Sequence, residues 1–541
     1  MKKDTFSLQL SVPQDKLKKV AAFLKQNALF ILLAVLIATS IYHFIFFYTN
    51  GLGLAYNDAR SHLDIGRRVV EGLKPGIAQL GSVWLPLPHL LMIPTVWNDF
   101  MWHSGLAGAL QSMISFVAIG LLIYLFLQRI GVGMLGRVIG VFIFATNLNV
   151  LYLQSTAMTE LLLMATMMAG CYYLLIWFQK EQIVDLVKSS FWIMLSSLVR
   201  YDGWFLFVFA AMLATLYTLK KHGYKRAEGI FFLFCTLGGL GIGLWFLWNA
   251  LIFKDPLYFA FGPYSAHSQQ TQLADAGVLA TKGNIVLSLK IYAYALLFNS
   301  NAFMTLIAAF GAFIMFFSKK LSNAVRIASL SLLAPLIFNI IALYLGHSVL
   351  FVQGVSGNTW FNVRYGVMVM PSIAIFIGFL IDKLRSLRIP LIGAFLFVTL
   401  IAFISYDAVT IDDGRVGSSQ KNVTEVSRWL HDNTKDKEGF VLISVASHDA
   451  IIFSSGLPMK KFIHEGTGRY WESAIATPDH WARWIIMRTN DDNDQTFKLI
   501  KKSVGLKYYK KVQSYPFADI YELDSSKLNT LITEPVLGKQ K

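Results

Sequence analysis

The sequence predicts a polytopic α-helical membrane protein of about eleven transmembrane helices that ends in a soluble α/β domain. Long uncharged apolar segments recur from Ala28 to about Asp407 and then stop. Only 15% of the 541 residues are charged, whereas soluble domains average about 25%. After residue 407 the chain alternates helix-like and strand-like patterns, which is typical of a small α/β domain.

The chain divides into three predicted parts. Residues 1–27 form a basic tail, residues 28–407 form the transmembrane domain with a polar loop at 49–103, and residues 408–541 form the soluble domain. The first apolar segment is too long, and ends in residues too bulky, for a cleaved signal peptide. We therefore expect it to remain as the first span.

Each predicted span is an apolar segment, most of them close to the length that crosses a bilayer. Two further apolar segments, 84–97 and 285–299, are short or broken by proline and are predicted to be interfacial or re-entrant. The predicted spans are 28–48, 104–127, 138–155, 161–178, 189–199, 203–219, 229–252, 301–317, 327–349, 365–381 and 389–407.

The distribution of basic residues predicts the orientation. The tail and the loops on its side carry 20 Lys and Arg residues, whereas the loops on the other side carry 8. Because cytoplasmic loops are enriched in Lys and Arg, we expect a cytoplasmic N-terminus and, after eleven spans, an external C-terminal domain. The net charge of +16 therefore reflects membrane anchoring, and no nucleic-acid partner is expected.

Several polar segments have no obvious structural role in a membrane-spanning helix. All of them fall on the predicted external face. Charges at bilayer depth cost about 2.5–3.5 kcal/mol and usually mark function, although each of these also fits a helix-end anchor or an ion pair. The segments are "YNDARSH" with Asp58, Arg60 and His62; "QSTAMTE" with Glu160; "LVRYDGW" with Arg200, Tyr201 and Asp202; "WNALIFKDPLYF"; and "FNVRYG" with Asn362, Arg364 and Tyr365.

Asp58 is the leading candidate for a catalytic base. It is predicted near the N-terminus of a surface helix, where the helix dipole favours a carboxylate; a helix-capping role is the alternative. His62 follows by four residues and shares its face. With Glu160, these residues could hold a divalent cation such as Mg²⁺ or Mn²⁺ through oxygen and imidazole ligands.

Three external arginines, Arg60, Arg200 and Arg364, suit an anionic substrate because a guanidinium matches phosphate oxygens. Lys290 is a further candidate, unless it only extends to the interface. The sequence contains neither a P-loop nor a dinucleotide fingerprint. A phosphate carried by a membrane lipid therefore fits better than a nucleotide.

The segment "GSVWLPLPHLLMIP" contains three prolines and cannot form one uninterrupted helix. It is predicted to line a cavity at the membrane boundary with Trp84 and His89, or to be a broken packing segment.

These blocks resemble those of the GT-C superfamily of polyprenyl-phosphate-sugar glycosyltransferases, in particular the protein mannosyltransferase and aminoarabinose transferase branch, family thirty-nine. The resemblance rests on "YNDARSH", "GSVWLPLPHLL", "LYLQSTAMTE", "LVRYDGW", "WNALIFKDPLYF" and "FNVRYG". It covers roughly residues 30–370. It implies a multi-pass enzyme in the cytoplasmic membrane of a prokaryote.

The resemblance implies inverting transfer from a polyprenyl-phosphate-linked sugar to a protein, lipid or glycan acceptor. Asp58 would be the general base, Glu160 the second acidic position, and Arg200 and Arg364 donor contacts. Many relatives carry two adjacent acids after the first span, whereas here Asn57 precedes Asp58. A lipid-linked glycan flippase or other transporter, and a glycan ligase or polymerase, are the alternatives.

In the C-terminal domain, "VTEVSRWLHDN" and "QTFKLIKKS" predict helices, and "FVLISVA", "KKFIH", "RWIIMR" and "ADIYEL" predict strands. The segment "IDDGR", with Asp412 and Asp413, is predicted to be a linker turn. Polar and aromatic residues of this domain form either a second active site, a glycan platform or ordinary loops: His448, Asp449, His464, Glu465, Arg469, Tyr470 and Trp471.

Overall fold

The computed structural model describes residues 22–23, 26–262, 265–275, 277–417 and 423–535, so most of the predicted basic tail lies outside the described residues. The chain is helical up to Val416 and mixed from Thr424 onward. The first helices are α1 (Ala28–Thr49), α2 (Asn57–Val70), α3 (Leu87–Val96), α4 (Asp99–His103), α5 (Leu106–Arg129), α6 (Met134–Ala145), α7 (Leu148–Leu153), α8 (Glu160–Lys180), α9 (Ile183–Ser197) and α10 (Asp202–His222). They are followed by α11 (Tyr224–Phe253), α12 (Tyr258–Phe261), α13 (Ala266–Asp275), α14 (Ile285–Ser300), α15 (Ala302–Phe317), α16 (Asn323–Leu330), α17 (Ala334–Leu345), α18 (Met370–Lys383), α19 (Arg388–Ser405) and α20 (Val409–Val416).

The polytopic helical fold is confirmed, but the structure has fewer clear spans than the eleven that were predicted. Among the described residues, eight helices are long and apolar enough to cross a membrane, or nine if α14 and α15 are counted as one broken span. The remaining predicted spans, 138–155, 189–199 and 301–317, correspond to helices of no more than 16 residues. A straight span needs about 20 residues, and residues 138–155 are interrupted between α6 and α7.

The two segments predicted to be interfacial or re-entrant differ: residues 84–97 begin with an irregular stretch, whereas residues 285–299 lie within the continuous helix α14. A 3₁₀ turn at Ile77–Leu80 and an irregular stretch precede α3, which begins at Leu87 and contains Pro94. Helices α14 and α15 meet at an angle of 110°. Asn301 lies at this bend with φ of +68° and ψ of 139°, outside the αL region that asparagine readily adopts.

The centre of the bundle is formed by α8 and α18, which are the most deeply buried spans. Helix α18 approaches α6 closely at Gly378 and Gly136. A Cβ added at Gly136 would lie 2.5 Å from the Gly378 carbonyl oxygen, and the reverse contact would be 2.6 Å. Such small-residue contacts let helix backbones meet where no hydrophobic driving force exists between helices.

The C-terminal domain is built on one five-stranded sheet, as the alternating pattern predicted. The strands are β1 (Phe440–Leu442), β2 (Phe462–Ile463), β3 (Ala482–Met487), β4 (Tyr509–Ser514) and β5 (Asp519–Leu523). The helices are α21 (Thr424–Thr434), α22 (Val445–Ser455), α23 (Arg469–Ala476), α24 (Pro478–Trp481) and α25 (Gln495–Ile500). The strand order is β2-β1-β3-β5-β4, with β1 parallel to β2 and β3, and β5 antiparallel to β3 and β4. The sequence prediction missed β4, α22, α23 and α24.

Helix α22 of this domain packs on α2, the helix that carries Asp58. The buried Arg68 Nη1 donates to Asp449 Oδ1 over 2.7 Å, and Arg60 Nη1 donates to Ser454 Oγ over 3.0 Å. The C-terminal domain therefore fixes the position of α2.

Most of the polar residues predicted for a second site in this domain are used in structural contacts. His448 Nε2 lies 2.6 Å from Asp494 Oδ2, and Glu465 accepts a hydrogen bond from the Val445 amide over 2.9 Å. Tyr470 and Trp471 are buried. These aromatic rings therefore do not form an exposed platform for a glycan.

The Arg68–Asp449 contact gives a first prediction. Asp449→Ala leaves the Arg68 guanidinium buried without its partner, which costs about 3–5 kcal/mol when a buried pair is broken. We expect residues 424–535 to become sensitive to limited proteolysis while the membrane helices stay folded. Asp436→Asn, at an exposed position of the same domain, should leave the digestion pattern unchanged; an unchanged pattern in Asp449→Ala would contradict the assigned contact.

Asp64 gives this interface a pH dependence. Burial, and then the neighbouring Asp449, raises the pKa of Asp64 well above its usual range, so this carboxyl holds its proton to a higher pH than an exposed aspartate does. A raised native pKa stabilises the fold fully below the unfolded pKa of about 4, and the stabilisation is lost as pH rises toward the native pKa. We expect the thermal midpoint of the wild type to fall as the pH rises from about 4 toward the native pKa of Asp64. In Asp64→Asn the midpoint should depend less on pH. An equal slope in the variant would contradict this assignment.

Candidate active site

Charged side chains from separate parts of the sequence meet at one place near the ends of several helices. Each is linked to the next by an ion pair. We call this group the charged cluster, and its members are Asp58, Glu160, Arg200, Asp202, Arg364 and Asp413. Five of these six residues were predicted from the sequence as members of one functional face.

Three acids of the cluster lie in the first turn of a helix. Asp58 is in the first turn of α2, Glu160 is the first residue of α8, and Asp202 is the first residue of α10. The N-terminal end of a helix carries partial positive charge and favours a carboxylate. The fold therefore gathers negative charge at one point by starting three helices there.

Arg364 lies at the centre of the charged cluster. Its Nη2 is 2.7 Å from Asp58 Oδ2, its Nε is 3.0 Å from Glu160 Oε1, and its Nη1 is 3.7 Å from Asp413 Oδ2. Its guanidinium also lies 4.9 Å from the centre of the Tyr56 ring. With only 3% of its side chain exposed, Arg364 is held by the protein on every side.

Arg200 is the more accessible arginine. Its Nη1 is 3.4 Å from Glu160 Oε1 and its Nε is 3.4 Å from Asp202 Oδ2, and 22% of its side chain is exposed. The guanidinium stacks on the Tyr365 ring, with 5.0 Å to the ring centre. These longer contacts leave Arg200 better placed than Arg364 to turn toward an anionic ligand.

Among the acids of the cluster, Asp58 is the one that a substrate can reach. Its side chain is 38% exposed, whereas those of Glu160, Asp202 and Asp413 are 5% exposed or less. A general base must come within hydrogen-bond distance of the proton that it removes. Accessibility therefore separates the candidate base from the acids that hold the arginines.

Asp413 and Tyr56 were missed by sequence reasoning. Asp413 was assigned to a linker turn, but it lies in α20 and is fully buried beside Arg364. The Tyr56 hydroxyl lies 3.0 Å from Asp413 Oδ2 and 2.8 Å from the Thr410 carbonyl oxygen. The available signal was position, since Asp413 directly follows the last predicted span on the external face.

His62 and His89 form a buried pair beside the cluster. His62 Nδ1 lies 2.9 Å from His89 Nε2, and the Trp84 ring lies 4.3 Å from the His62 ring. Burial, Arg200 and Arg364 lower the pKa of His62 to about 3, so this imidazole is neutral at pH 7. Trp84 and His89, which were predicted to line a cavity or to belong to a broken packing segment, thus pack against His62, and His89 is fully buried.

The predicted metal ligands do not come together as expected. His62 is paired with His89, and one carboxylate oxygen each of Asp58 and Glu160 lies against the Arg364 guanidinium. Across the described residues, no group of three or more His, Cys, Asp or Glu side chains is arranged to hold a metal ion. The arrangement does not fit a divalent cation, and we derive no step through one.

The remaining predicted residues lie at or beyond the edge of the cluster. Arg60 Nε donates to the Leu54 carbonyl oxygen over 2.9 Å, and the Tyr201 hydroxyl donates to the Val83 carbonyl oxygen over 3.3 Å. Asn362 has φ of +54° and precedes the 3₁₀ turn that presents Arg364. Lys290 is exposed on α14, and the described contacts do not connect it to the cluster.

No protein-family model and no curated protein matches this sequence. Among solved structures, ArnT from Cupriavidus metallidurans bound to undecaprenyl phosphate is similar, with a TM-score of 0.52 and 11% identity over 90% of this chain and 98% of ArnT. This chain has the fold of ArnT. The apo state of ArnT gives a TM-score of 0.53. The oligosaccharyltransferase of Archaeoglobus fulgidus with Zn and sulfate gives 0.49, at 12% identity over 92% of this chain and 73% of that one.

The predicted resemblance to the GT-C superfamily is thus confirmed at the level of the fold. The similarity to ArnT extends over 90% of this chain, further than residues 30–370, from which the resemblance was inferred.

Proposed function

We propose that this protein is an integral-membrane, inverting glycosyltransferase that moves a sugar from a polyprenyl-phosphate donor to an acceptor. The observation that carries the proposal is the accessible Asp58 carboxylate held against Arg364, with Arg200 beside it. The bound undecaprenyl phosphate of ArnT, which shares this fold, supports a polyprenyl phosphate as the donor.

Asp58 is the general base in this mechanism. Its carboxylate accepts the proton of the acceptor hydroxyl as that oxygen attacks the anomeric carbon of the donor sugar. The 2.7 Å ion pair with Arg364 fixes the orientation of the carboxylate. Attack opposite the phosphate inverts the anomeric centre.

The leaving group is the polyprenyl phosphate. As the bond between the anomeric carbon and the phosphate oxygen breaks, its electron pair stays on the phosphate, whose charge grows. Arg200 meets this charge, since fixed cationic donors placed where charge develops stabilise a transition state. Arg364 adds to the positive potential while it is held by Glu160 and Asp413.

We place this chemistry on the extracytoplasmic face. The support is the excess of Lys and Arg in the loops on the N-terminal side, opposite to the loops that supply Asp58, Glu160, Arg200 and Arg364. The C-terminal domain lies next to α2 and is well placed to select the acceptor.

Arg200→Lys tests the donor-phosphate contact. Lysine keeps the charge but loses the planar fork that binds two phosphate oxygens. A charge-assisted hydrogen bond contributes about 1.5–3 kcal/mol, so we expect the KM for the lipid donor to rise about tenfold or more with an unchanged melting temperature. Arg385→Lys, at an exposed position in the 3₁₀ turn that follows α18, is the matched control; a normal donor KM in Arg200→Lys would contradict the assigned role.

The overall proposal is tested with the full-length protein in proteoliposomes. A panel of radiolabelled polyprenyl-phosphate sugars is supplied with membrane extract as the source of acceptor. We expect one donor to label the acceptor, with the anomeric configuration of the product inverted relative to the donor. Retention of configuration would contradict the single-displacement mechanism, and failure of the whole panel would contradict the donor class.

A further inference from the structure

A cavity apart from the charged cluster lies between the junction of α6 and α7, the bend between α14 and α15, and the outer helix α19. Its volume is about 90 Å³, and it is partly open. At roughly 10–15 Å³ per water position, it has room for about six waters or the polar edge of one sugar ring. We call it the asparagine pocket, after Asn147, Asn149, Asn299 and Asn301 in its wall.

The hydrogen-bond donors of this wall are largely consumed by the protein. The side-chain amides of Asn147 and Asn149 both donate to the Asn299 carbonyl oxygen, over 2.8 and 3.0 Å. The Asn299 amide donates to the carbonyl oxygens of Ala295 and Val363, each over 2.7 Å. These bonds make the pocket wall rigid and leave little to donate to a ligand.

The side-chain oxygens of Asn147, Asn149 and Asn301 also accept structural hydrogen bonds, but two other oxygens of the wall are left over. Asn299 is 1% exposed, and its buried Oδ1 has no hydrogen-bond partner among the described residues. The buried hydroxyl oxygen of Thr399 likewise lacks a partner in the described part of the chain. Asp407, an exposed residue, completes the lining.

Unpartnered buried polar atoms indicate that something else completes their hydrogen bonds. Leaving such a group unsatisfied costs about 1–3 kcal/mol, because its contacts with water are lost. The matching ligand must donate hydrogen bonds to an amide oxygen, a hydroxyl and a carboxylate. A phosphate, which only accepts when ionised, does not fit this wall, whereas the hydroxyl groups of a neutral sugar do.

The pocket adjoins the charged cluster without sharing any of its six side chains. Asn149 Oδ1 accepts from the Thr410 amide over 3.0 Å, three residues before Asp413. Asn299 binds the carbonyl oxygen of Val363, the residue before Arg364. The wall of the pocket therefore supports the backbone that presents two members of the cluster.

We propose that the asparagine pocket is a second binding site, which takes the hydroxyl groups of a neutral sugar. This site is separate from the charged cluster and does not depend on the transfer reaction proposed above. The cluster offers guanidinium groups to a phosphate, whereas the pocket offers acceptors to hydroxyls. The sugar belongs either to a soluble glycan or to the headgroup of a glycolipid.

The test is a titration of the full-length protein in nanodiscs by saturation-transfer NMR. The probes are methyl mannoside and methyl glucoside for a soluble glycan, and a short-chain alkyl glucoside for a glycolipid headgroup. The informative variant is Thr399→Val/Asp407→Asn, which removes the Thr399 hydroxyl and the negative charge of Asp407, neither of which has an assigned structural hydrogen bond. Ser405→Ala is the matched control, because the Ser405 hydroxyl donates within its own helix to Ile401 over 2.8 Å.

We expect at least one glycoside to bind with a Kd on the order of millimolar, and the double variant to weaken it at least tenfold. Ser405→Ala and Asp58→Asn should bind as the wild type does, which separates this result from any failure of the transferase proposal. Preference for the methyl or the alkyl glycoside identifies the source. Absence of binding, equal binding by the double variant, or displacement by inorganic phosphate would overturn the proposal.

Discussion

Asp58→Asn is expected to lower the turnover number for sugar transfer about 10³-fold while the protein remains folded. Asparagine keeps the size of aspartate but cannot take a proton from the acceptor hydroxyl, and general base catalysis typically contributes 10²–10⁴-fold. Because 38% of the Asp58 side chain is exposed, the substitution leaves no large cavity. The measurement is the initial rate in proteoliposomes at saturating donor.

The control for this prediction is Asp436→Asn, at an exposed position in the C-terminal domain. It removes one negative charge without touching the charged cluster and should transfer sugar at the wild-type rate. Should Asp58→Asn retain more than about a tenth of the wild-type rate, Asp58 would be a helix-terminal ion-pair partner of Arg364 and another group would be the base.

Arg364→Met is expected to prevent stable folding. The substitution removes the guanidinium that lies between Asp58, Glu160 and Asp413 and leaves two fully buried carboxylates without their central partner. Removal of one member of a buried ion pair costs about 3–5 kcal/mol. The measurement is the yield and melting temperature of a fluorescent fusion on size-exclusion chromatography.

Two further variants separate the loss of the ion pairs from a general intolerance of substitution. Arg364→Met/Glu160→Gln removes one buried positive and one buried negative charge. It should recover part of the melting temperature that Arg364→Met loses. Arg200→Met, at the more exposed arginine, should fold but lose donor binding. A wild-type melting temperature in Arg364→Met would contradict the central position given to this residue.

The convergence of the site could be predicted because it depends on which side of the membrane each loop occupies. Hydropathy locates the spans, and the Lys and Arg bias sorts the loops. Asp58, Glu160, Arg200 and Arg364 were therefore assigned to one face from sequence alone, and the structure links them by ion pairs. The prediction did not specify that Arg364 would be central, because partner choice depends on side-chain geometry that no local pattern encodes.

Other features could not be predicted for physical reasons. Asp413 looked like part of a linker because two acids and a glycine are typical of turns, yet tertiary contacts hold the segment in a helix. His62 looked like a metal ligand because it shares a helical face with Asp58, and only the fold brings it to His89. The asparagine pocket combines residues from three distant segments, each unremarkable in sequence.

The most direct test of the central claim follows the bond between the sugar and the phosphate. Wild-type proteoliposomes receive a donor labelled in both the sugar and the polyprenyl chain, together with acceptor. The mechanism predicts that free polyprenyl phosphate and glycosylated acceptor form in equal amounts, and that neither forms at an appreciable rate in Asp58→Asn. Movement of the intact, doubly labelled donor to the opposite leaflet without release of polyprenyl phosphate would contradict it and identify a transporter.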